Sequence, residues 1–136
     1  MPKPTREDGR MILELSKMYP RDSARWFQAN FSAKDYEEFT KKYPRGSQGF
    51  GRCLDMLNFF EMAGVLVSHG LLNEDLFFDL SFGLAPFWHK MGPVAKGWQK
   101  AVDPALWENA IWLADRQKVW AEKVWKPDLK WKLRAK

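Results

Sequence analysis

The chain has little of the chemistry that most enzymes and metalloproteins use. Of its 136 residues, one is cysteine (Cys53) and two are histidine (His69 and His89). A single cysteine excludes a disulfide within the chain and gives no sign of an oxidising compartment. The histidines lack the Cys, Asp or Glu spacing of a zinc or iron site. We therefore expect no metal and no cofactor, and catalysis is the less favoured interpretation.

Long apolar runs are also missing. The start, MPKPTREDGR, is charged and has no apolar segment of the kind found in secretory signals. The apolar run from Met62 to Val67 is far shorter than the roughly twenty residues that span a bilayer. No glycine-rich phosphate-binding loop and no G-x-S-x-G element is present. The cytoplasm is the expected location.

Aromatic side chains, in contrast, are plentiful. Hydrophobic residues make up 46% of the chain, with eight tryptophans and ten phenylalanines, which is enough for a substantial core. The length is typical of one domain. Much of the net charge of +5 lies at the end, where residues 126–136 carry five Lys or Arg and one acid. We expect a domain over residues 1–125 and a basic tail over residues 126–136.

The stretch from Phe50 to Trp88 is the most apolar part of the chain. Its residues follow helical spacing on both sides of a turn at His69–Gly70. Helices that are apolar nearly all round lie at the centre of a fold or at an interface. The sequence therefore predicts an all-α, single-domain helical bundle of five to seven helices with a central apolar helix pair.

Capping residues predict where the first three helices begin. A weak capping box opens the first helix at Thr5, and Asp22 or Ser23 is expected to cap the second. Ser32 with Asp35 forms a clearer capping box for the third.

The central helices have predicted ends as well. The first should begin near Ser47 or Phe50 and run to Ala63, followed by an extended segment over residues 65–67. Asn73 is the expected cap of the next helix.

Two prolines predict a broken or kinked segment over residues 83–101. The pair Asp103–Pro104 is the strongest start signal in the chain, because an N-cap residue precedes a proline at the first helical position. The last helix should run from there to about Trp125.

The sharpest polar feature of the central helix is an edge formed by Asp55, Asn58 and Glu61, spaced three residues apart. Carboxylates on a buried helix could bind a metal ion or transfer protons. Metal-binding bundles usually place His three residues after Glu, whereas Gly64 stands there. The same acids disfavour a DNA-recognition helix, since they would meet phosphates. We favour solvation or pairing with a cation from among Arg52, Lys90 and Arg116.

The basic tail alternates cations with apolar residues: Lys130, Trp131, Lys132 and Arg134 are its candidate contact residues. The favoured interpretation is that its apolar residues pack on the bundle while the cations stay solvated. Two alternatives stay open. The cations and Trp131 could bind a nucleic acid by phosphate contact and base stacking, or they could bind an anionic membrane surface.

Trp112 lies off the inner face of the last helix, in a group with Glu108, Asp115, Arg116 and Val119. An exposed tryptophan would mark an interface, while a second layer of helices would bury it without function. Trp112 and Arg116 are therefore candidate interaction residues.

Part of the chain resembles a known family. The residues are Asn58, Glu61 and Gly64 on one helix, the turn Gly70–Asp75 (GLLNED), Trp88, and the segment Trp112–Ala114 (WLA). In this order they are similar to a family of small all-helical bacterial proteins known only as a domain of unknown function. The resemblance extends from about Leu54 to Arg116. It implies a helical fold, often tethered to a membrane, and no assigned activity.

These observations together predict an interaction protein without catalysis. Its expected partner is another protein or a second copy of itself, with Trp112 as the first contact residue. Nucleic-acid binding and, less favoured, membrane association through the tail are the alternatives.

Overall fold

The computed structural model describes residues 3–124, which form a helical bundle. The predicted fold class, an all-α bundle of five to seven helices, is confirmed. Seven α-helices and one 3₁₀ turn follow in order: α1 (Arg6–Met18), α2 (Arg21–Asn30), α3 (Tyr36–Lys42), α4 (Gln48–Ser68), α5 (Glu74–Leu80), the 3₁₀ turn (Ser81–Gly83), α6 (Leu84–Ala101) and α7 (Glu108–Val124).

Helix α4 lies at the centre of the bundle. It packs against α2 on one side and along α7 on the other, while α6 packs against α3 and α7, and α5 against α1 and α7. Leu57 and Phe60 of α4, Met91 of α6 and Leu113 of α7 are fully buried where these helices meet. Helix α7, the last within residues 3–124, therefore contacts the three helices α4, α5 and α6.

Aromatic rings fill much of the core. The ring of Phe87 lies 4.7 Å from that of Phe27 and 5.2 Å from that of Phe60, which joins α2, α4 and α6. Farther along, Trp98 lies 5.5 Å from both Phe39 and Trp107. Because large rings bury much apolar area, a chain of this size can close a core without a disulfide or a metal.

Two predicted caps are confirmed. Thr5 and Asp8 form the expected capping box at the start of α1, and the side chain of Asn73 accepts a hydrogen bond from the backbone of Leu76 in α5. Asp8 also accepts from the backbone N–H of Asn73 at 2.9 Å, which joins the starts of α1 and α5. These hydrogen bonds, first those from Thr5, lower the pKa of Asp8 despite its partial desolvation.

Two other predicted caps are wrong. Helix α2 begins at Arg21, so Asp22 and Ser23 lie in its first turn and neither caps it. The cap of α3 is Asp35, not Ser32, because Asp35 is the residue that accepts from the backbone of Glu38. The hydroxyl of Ser23 instead donates to Asp55 of α4, and Asp35 rather than Ser32 directly precedes α3. The types of the residues alone do not show which of two neighbouring candidates becomes the cap.

The predicted end of the central helix is also wrong. Helix α4 begins after Ser47, as expected, but it continues through Ala63 and Gly64 to Ser68, and residues 65–67 are helical rather than extended. Gly64 is buried inside the helix. Its lack of a side chain serves helix packing, described below, and does not end the helix.

The break near the prolines lies earlier than predicted. Helix α6 is continuous over Leu84–Ala101 with Pro93 inside it. The chain turns instead at the 3₁₀ turn, where Ser81, Phe82 and Gly83 all have positive φ angles. This conformation is unfavourable for Ser and Phe. The ring of Phe82 packs 5.3 Å from that of Phe59, which holds the strained turn against α4.

The start of the last helix is four residues later than predicted. Asp103 accepts a hydrogen bond from the backbone of Ala105 at 2.8 Å, but it caps only a turn over residues 104–107, and α7 begins at Glu108. Trp107 interrupts the helical path with a φ of 60°. A local start signal therefore produced a turn, and the cap of α7 comes from elsewhere in the fold.

Candidate functional site

The three residues of the polar edge have separate environments. The side chain of Asp55 accepts a hydrogen bond from the hydroxyl of Ser23 at 2.6 Å and so joins α4 to α2. Asn58 is exposed. Glu61 faces the start of α7. The structure therefore does not bring these three side chains together as one site, and the hydrogen-bond partners of Asp55 and Glu61 are not the cations considered from sequence.

Glu61 caps helix α7 from outside that helix. Its Oε1 accepts from the backbone N–H groups of Asn109 at 3.1 Å and Ala110 at 3.0 Å, and its Oε2 accepts from the Asn109 side chain at 2.7 Å. The residue before α7 is Trp107, which has no side-chain acceptor. Glu61 therefore supplies the acceptor that an N-cap residue normally provides, and its negative charge lies at the positive end of the helix dipole.

Gly64, one turn after Glu61, allows the two helices to approach closely. A Cβ atom at Gly64 would lie 2.3 Å from the backbone oxygen of Asn109 and 2.7 Å from its carbonyl carbon. Contacts this short do not occur in folded proteins, so any side chain at position 64 requires α7 to move away. Glu61 and Gly64 together fix where α7 begins along α4.

Two acids in the first turn of α5 hold the middle of α7. The Glu74 carboxylate accepts two hydrogen bonds from Arg116, at 2.7 and 2.8 Å, and Asp75 accepts from the indole N–H of Trp120 at 2.7 Å. The hydrogen bond and the charge of Glu74 raise the pKa of Arg116 above its ordinary value. The bidentate ion pair orients both side chains, and through it Arg116 joins α7 to α5.

The described chain is an all-α bundle in which polar contacts from Glu61, Glu74 and Asp75 and a close approach at Gly64 fix α7 against α4 and α5. The chain belongs to the family described as Domain of unknown function (DUF4760), whose family model matches residues 17–117. The family membership and the helical fold expected from sequence are confirmed. No curated protein and no solved structure was found to match the chain.

The structure gives no catalytic or metal-binding arrangement to the other side chains of residues 3–124 that could react or bind a metal. Among residues 3–124 no three or more His, Cys, Asp or Glu side chains are grouped so that they could hold a metal ion. The hydroxyl of Ser23 donates a hydrogen bond to the carboxylate of Asp55, as an activated serine does to its base. The residue is only 2% exposed, however, so a substrate cannot reach it. In the same range no helix has both the length and the apolar composition to cross a bilayer. The cytoplasmic location stays a prediction.

The reactivity of Cys53 tests whether the inner face of α4 is buried as described. The side chain is fully buried in α4, and desolvation raises the pKa of its thiol to about 12. We expect Cys53 in the native protein to react with an aromatic disulfide reagent at pH 8 at least about a hundredfold more slowly than in the urea-unfolded chain, because the thiolate is the reactive form.

The raised pKa also fixes the sign of a pH effect. The favourable contribution of the buried thiol is complete below its ordinary pKa of 9.0 and is lost as the pH rises toward about 12. Equal reaction rates for native and unfolded protein would show that Cys53 is accessible and that this account of α4 is wrong.

The outer face of α7 carries the candidate interaction residue Trp112. Its side chain is 38% exposed, as is that of Val119 two turns later. Glu108, Asp115 and Lys123 are exposed on the same side of the helix. The remaining candidates, Lys130, Trp131, Lys132 and Arg134, lie outside the described residues, as does the predicted tail over 126–136.

Proposed function

We propose that this protein is a non-catalytic helical module that binds a second copy of itself through the outer face of α7. The observation that supports this proposal most strongly is the order of residues on that face. Trp112 and Val119 are exposed and lie two helical turns apart, with an acid before them and a base after them. An exposed tryptophan beside another apolar residue, with charged residues on either side, is typical of a protein interaction surface.

The order of these residues is complementary to itself when reversed. In an antiparallel contact of two α7 helices, a twofold axis between Asp115 and Arg116 places Trp112 opposite Val119 of the second copy. The same register places Glu108 opposite Lys123 of the second copy. A twofold axis repeats each contact, so two apolar pairs lie between two pairs of opposite charge. A single register that satisfies both kinds of contact supports self-association over binding of an unrelated protein.

The centre of this contact is charged and already ordered. The guanidinium of Arg116 donates two hydrogen bonds to the Glu74 carboxylate, so it is fixed before association. In the proposed register Asp115 of the second copy faces this guanidinium. Because a fixed side chain loses little conformational freedom on binding, the pair favours association more than two mobile side chains would.

The interface is small, so the proposed association is weak. A single helix from each copy provides less than the standard interface of about 1,600 Å². We therefore expect monomer and dimer to exchange, with the dimer populated at high protein concentration.

Sedimentation equilibrium of wild type and Trp112→Ala tests the proposal. Wild type should approach the mass of two chains as concentration rises, and Trp112→Ala should associate at least about tenfold more weakly, since interface tryptophans contribute strongly. Leu13→Ala is the matched control, because Leu13 is an apolar residue that is 63% exposed and lies on α1 rather than on α7. A wild-type mass of one chain at every concentration overturns the proposal, and so does equal association of wild type and Trp112→Ala.

A further inference from the structure

A groove on the other side of α7 has the features of a ligand site. It runs between α6 and α7 and has a volume of about 540 Å³. This volume lies within the range of about 300–1,000 Å³ that is usual for small-molecule sites. The residues that matter for its chemistry are Trp88, His89, Gly92 and Lys96 from α6, with Ala114 and Lys118 from α7.

Trp88 contributes a polar atom that has no acceptor within the described chain. The residue is only 7% exposed, and its indole N–H forms no hydrogen bond with any residue from 3 to 124. The nitrogen lies beside Gly92, since a Cβ at Gly92 would be 3.0 Å from it. Although most of the side chain is buried, this nitrogen is not itself among the buried atoms without a partner, so its N–H is open to the groove and can donate to an acceptor there.

The charge of the groove is of one sign. His89, Lys96 and Lys118 lie at its exposed edge, and no acid is among the residues that line it. Neither Lys96 nor Lys118 forms an ion pair with a residue in the described part of the chain. Two unpaired ammonium groups and one free indole donor thus converge on the same space, and all three attract an anionic oxygen.

The floor of the groove is apolar and shallow. Gly92 and Ala114 are buried small residues beside the indole of Trp88, and Ala85 and Pro93 add exposed apolar surface to the same groove. A flat apolar group fits against this floor by contact with the ring. A ligand of this site would therefore have an apolar body on the floor and an anionic group at the edge.

We infer that the α6–α7 groove binds a small organic carboxylate. One carboxylate oxygen accepts from the Trp88 indole N–H, the ammonium groups of Lys96 and Lys118 neutralise the charge, and the apolar body lies over Gly92 and Ala114. The site is separate from the outer face of α7, where Trp112 lies, so ligand binding does not depend on self-association.

Naphthalene-2-carboxylate is a suitable probe, and neutral naphthalene-2-methanol is its uncharged counterpart. Indole N–H signals of the full chain are followed by two-dimensional NMR as each compound is added. The carboxylate should shift one indole signal strongly, and that signal should be missing in Trp88→Phe. The neutral compound should bind at least about tenfold more weakly, because it lacks the charge-assisted hydrogen bonds.

Variants separate the site from nonspecific charge. Lys96→Gln combined with Lys118→Gln should weaken carboxylate binding about tenfold, and Trp88→Phe about fivefold. Lys100→Gln is the matched control, since Lys100 is exposed on α6 and does not line the groove. Equal binding of both compounds, an equal effect of the control variant, or no shift of the Trp88 signal at millimolar probe each overturns the inference.

Discussion

Gly64→Ala is expected to destabilise the fold by about 3 kcal/mol or more. The new Cβ would lie 2.3 Å from the backbone oxygen of Asn109, and a backbone atom cannot rotate away as a side chain can. Helix α7 must therefore shift from α4, and the shift disturbs the cap at Glu61 on the same contact. In an open helix the same substitution would be favourable by about 1 kcal/mol, so the sign of the effect reports the helix contact.

Gly51→Ala is the matched control for this experiment. Gly51 lies in the same helix, is exposed, and has nothing within 4 Å of the position that its Cβ would take. We expect Gly51→Ala to raise the free energy of unfolding by about 0.5–1 kcal/mol. Urea denaturation of the two variants measures both values. If Gly64→Ala also stabilises the protein, α4 and α7 do not pack as closely as described.

Glu61→Ala should lower the free energy of unfolding by about 2–3 kcal/mol. The substitution leaves the backbone N–H groups of Asn109 and Ala110 without their acceptor and removes a negative charge from the start of α7. Glu61→Gln retains an acceptor but loses the charge, so its free energy of unfolding should lie between those of wild type and Glu61→Ala. Thermal and urea unfolding provide the measurement.

Asn58 supplies the control, because it lies one turn earlier on the same edge of α4 and is exposed. Asn58→Ala should change the free energy of unfolding by less than about 0.5 kcal/mol. A loss for Asn58→Ala as large as that for Glu61→Ala would argue against a specific cap and for a general effect of polarity along this edge.

Sequence reasoning recovered the helical class because apolar spacing and local caps reflect interactions between near neighbours. The capping box at Thr5 and the cap at Asn73 are of this kind. The ends of α4 and the start of α7 depend on residues far apart in sequence. Gly64 resembles a helix terminator when seen alone, and its reason for being glycine is Asn109, which lies 45 residues later.

At the candidate site, too, features of a single helix were predicted and contacts between helices were missed. The exposure of Trp112 follows from its position on a helical face, and it was predicted as an interaction residue on that basis. The pairing of Glu74 with Arg116 and the groove at Trp88 were missed, because each requires knowing which helices are adjacent. The available signal was the pair of acids in the first turn of α5, Glu74 and Asp75, since acids at a helix start often accept from a cation or another donor.

The proposed function depends on both faces of α7. Its inner face is fixed by Glu61, Gly64, Glu74 and Asp75, so its outer face is presented as a rigid surface. A rigid helix loses little entropy when it binds, which suits a small interface. Substitutions at Gly64 or Glu61 should therefore weaken self-association as well as stability.

Reversal of charge at the two ends of the α7 contact tests the proposed register most directly. Glu108→Lys and Lys123→Glu should each weaken self-association about tenfold in sedimentation equilibrium, because each places like charges together at two symmetric points. The double variant Glu108→Lys with Lys123→Glu should associate as wild type does, since the opposite charges are restored in exchanged positions. A double variant that associates no better than either single variant would contradict the antiparallel contact of α7 with a second copy.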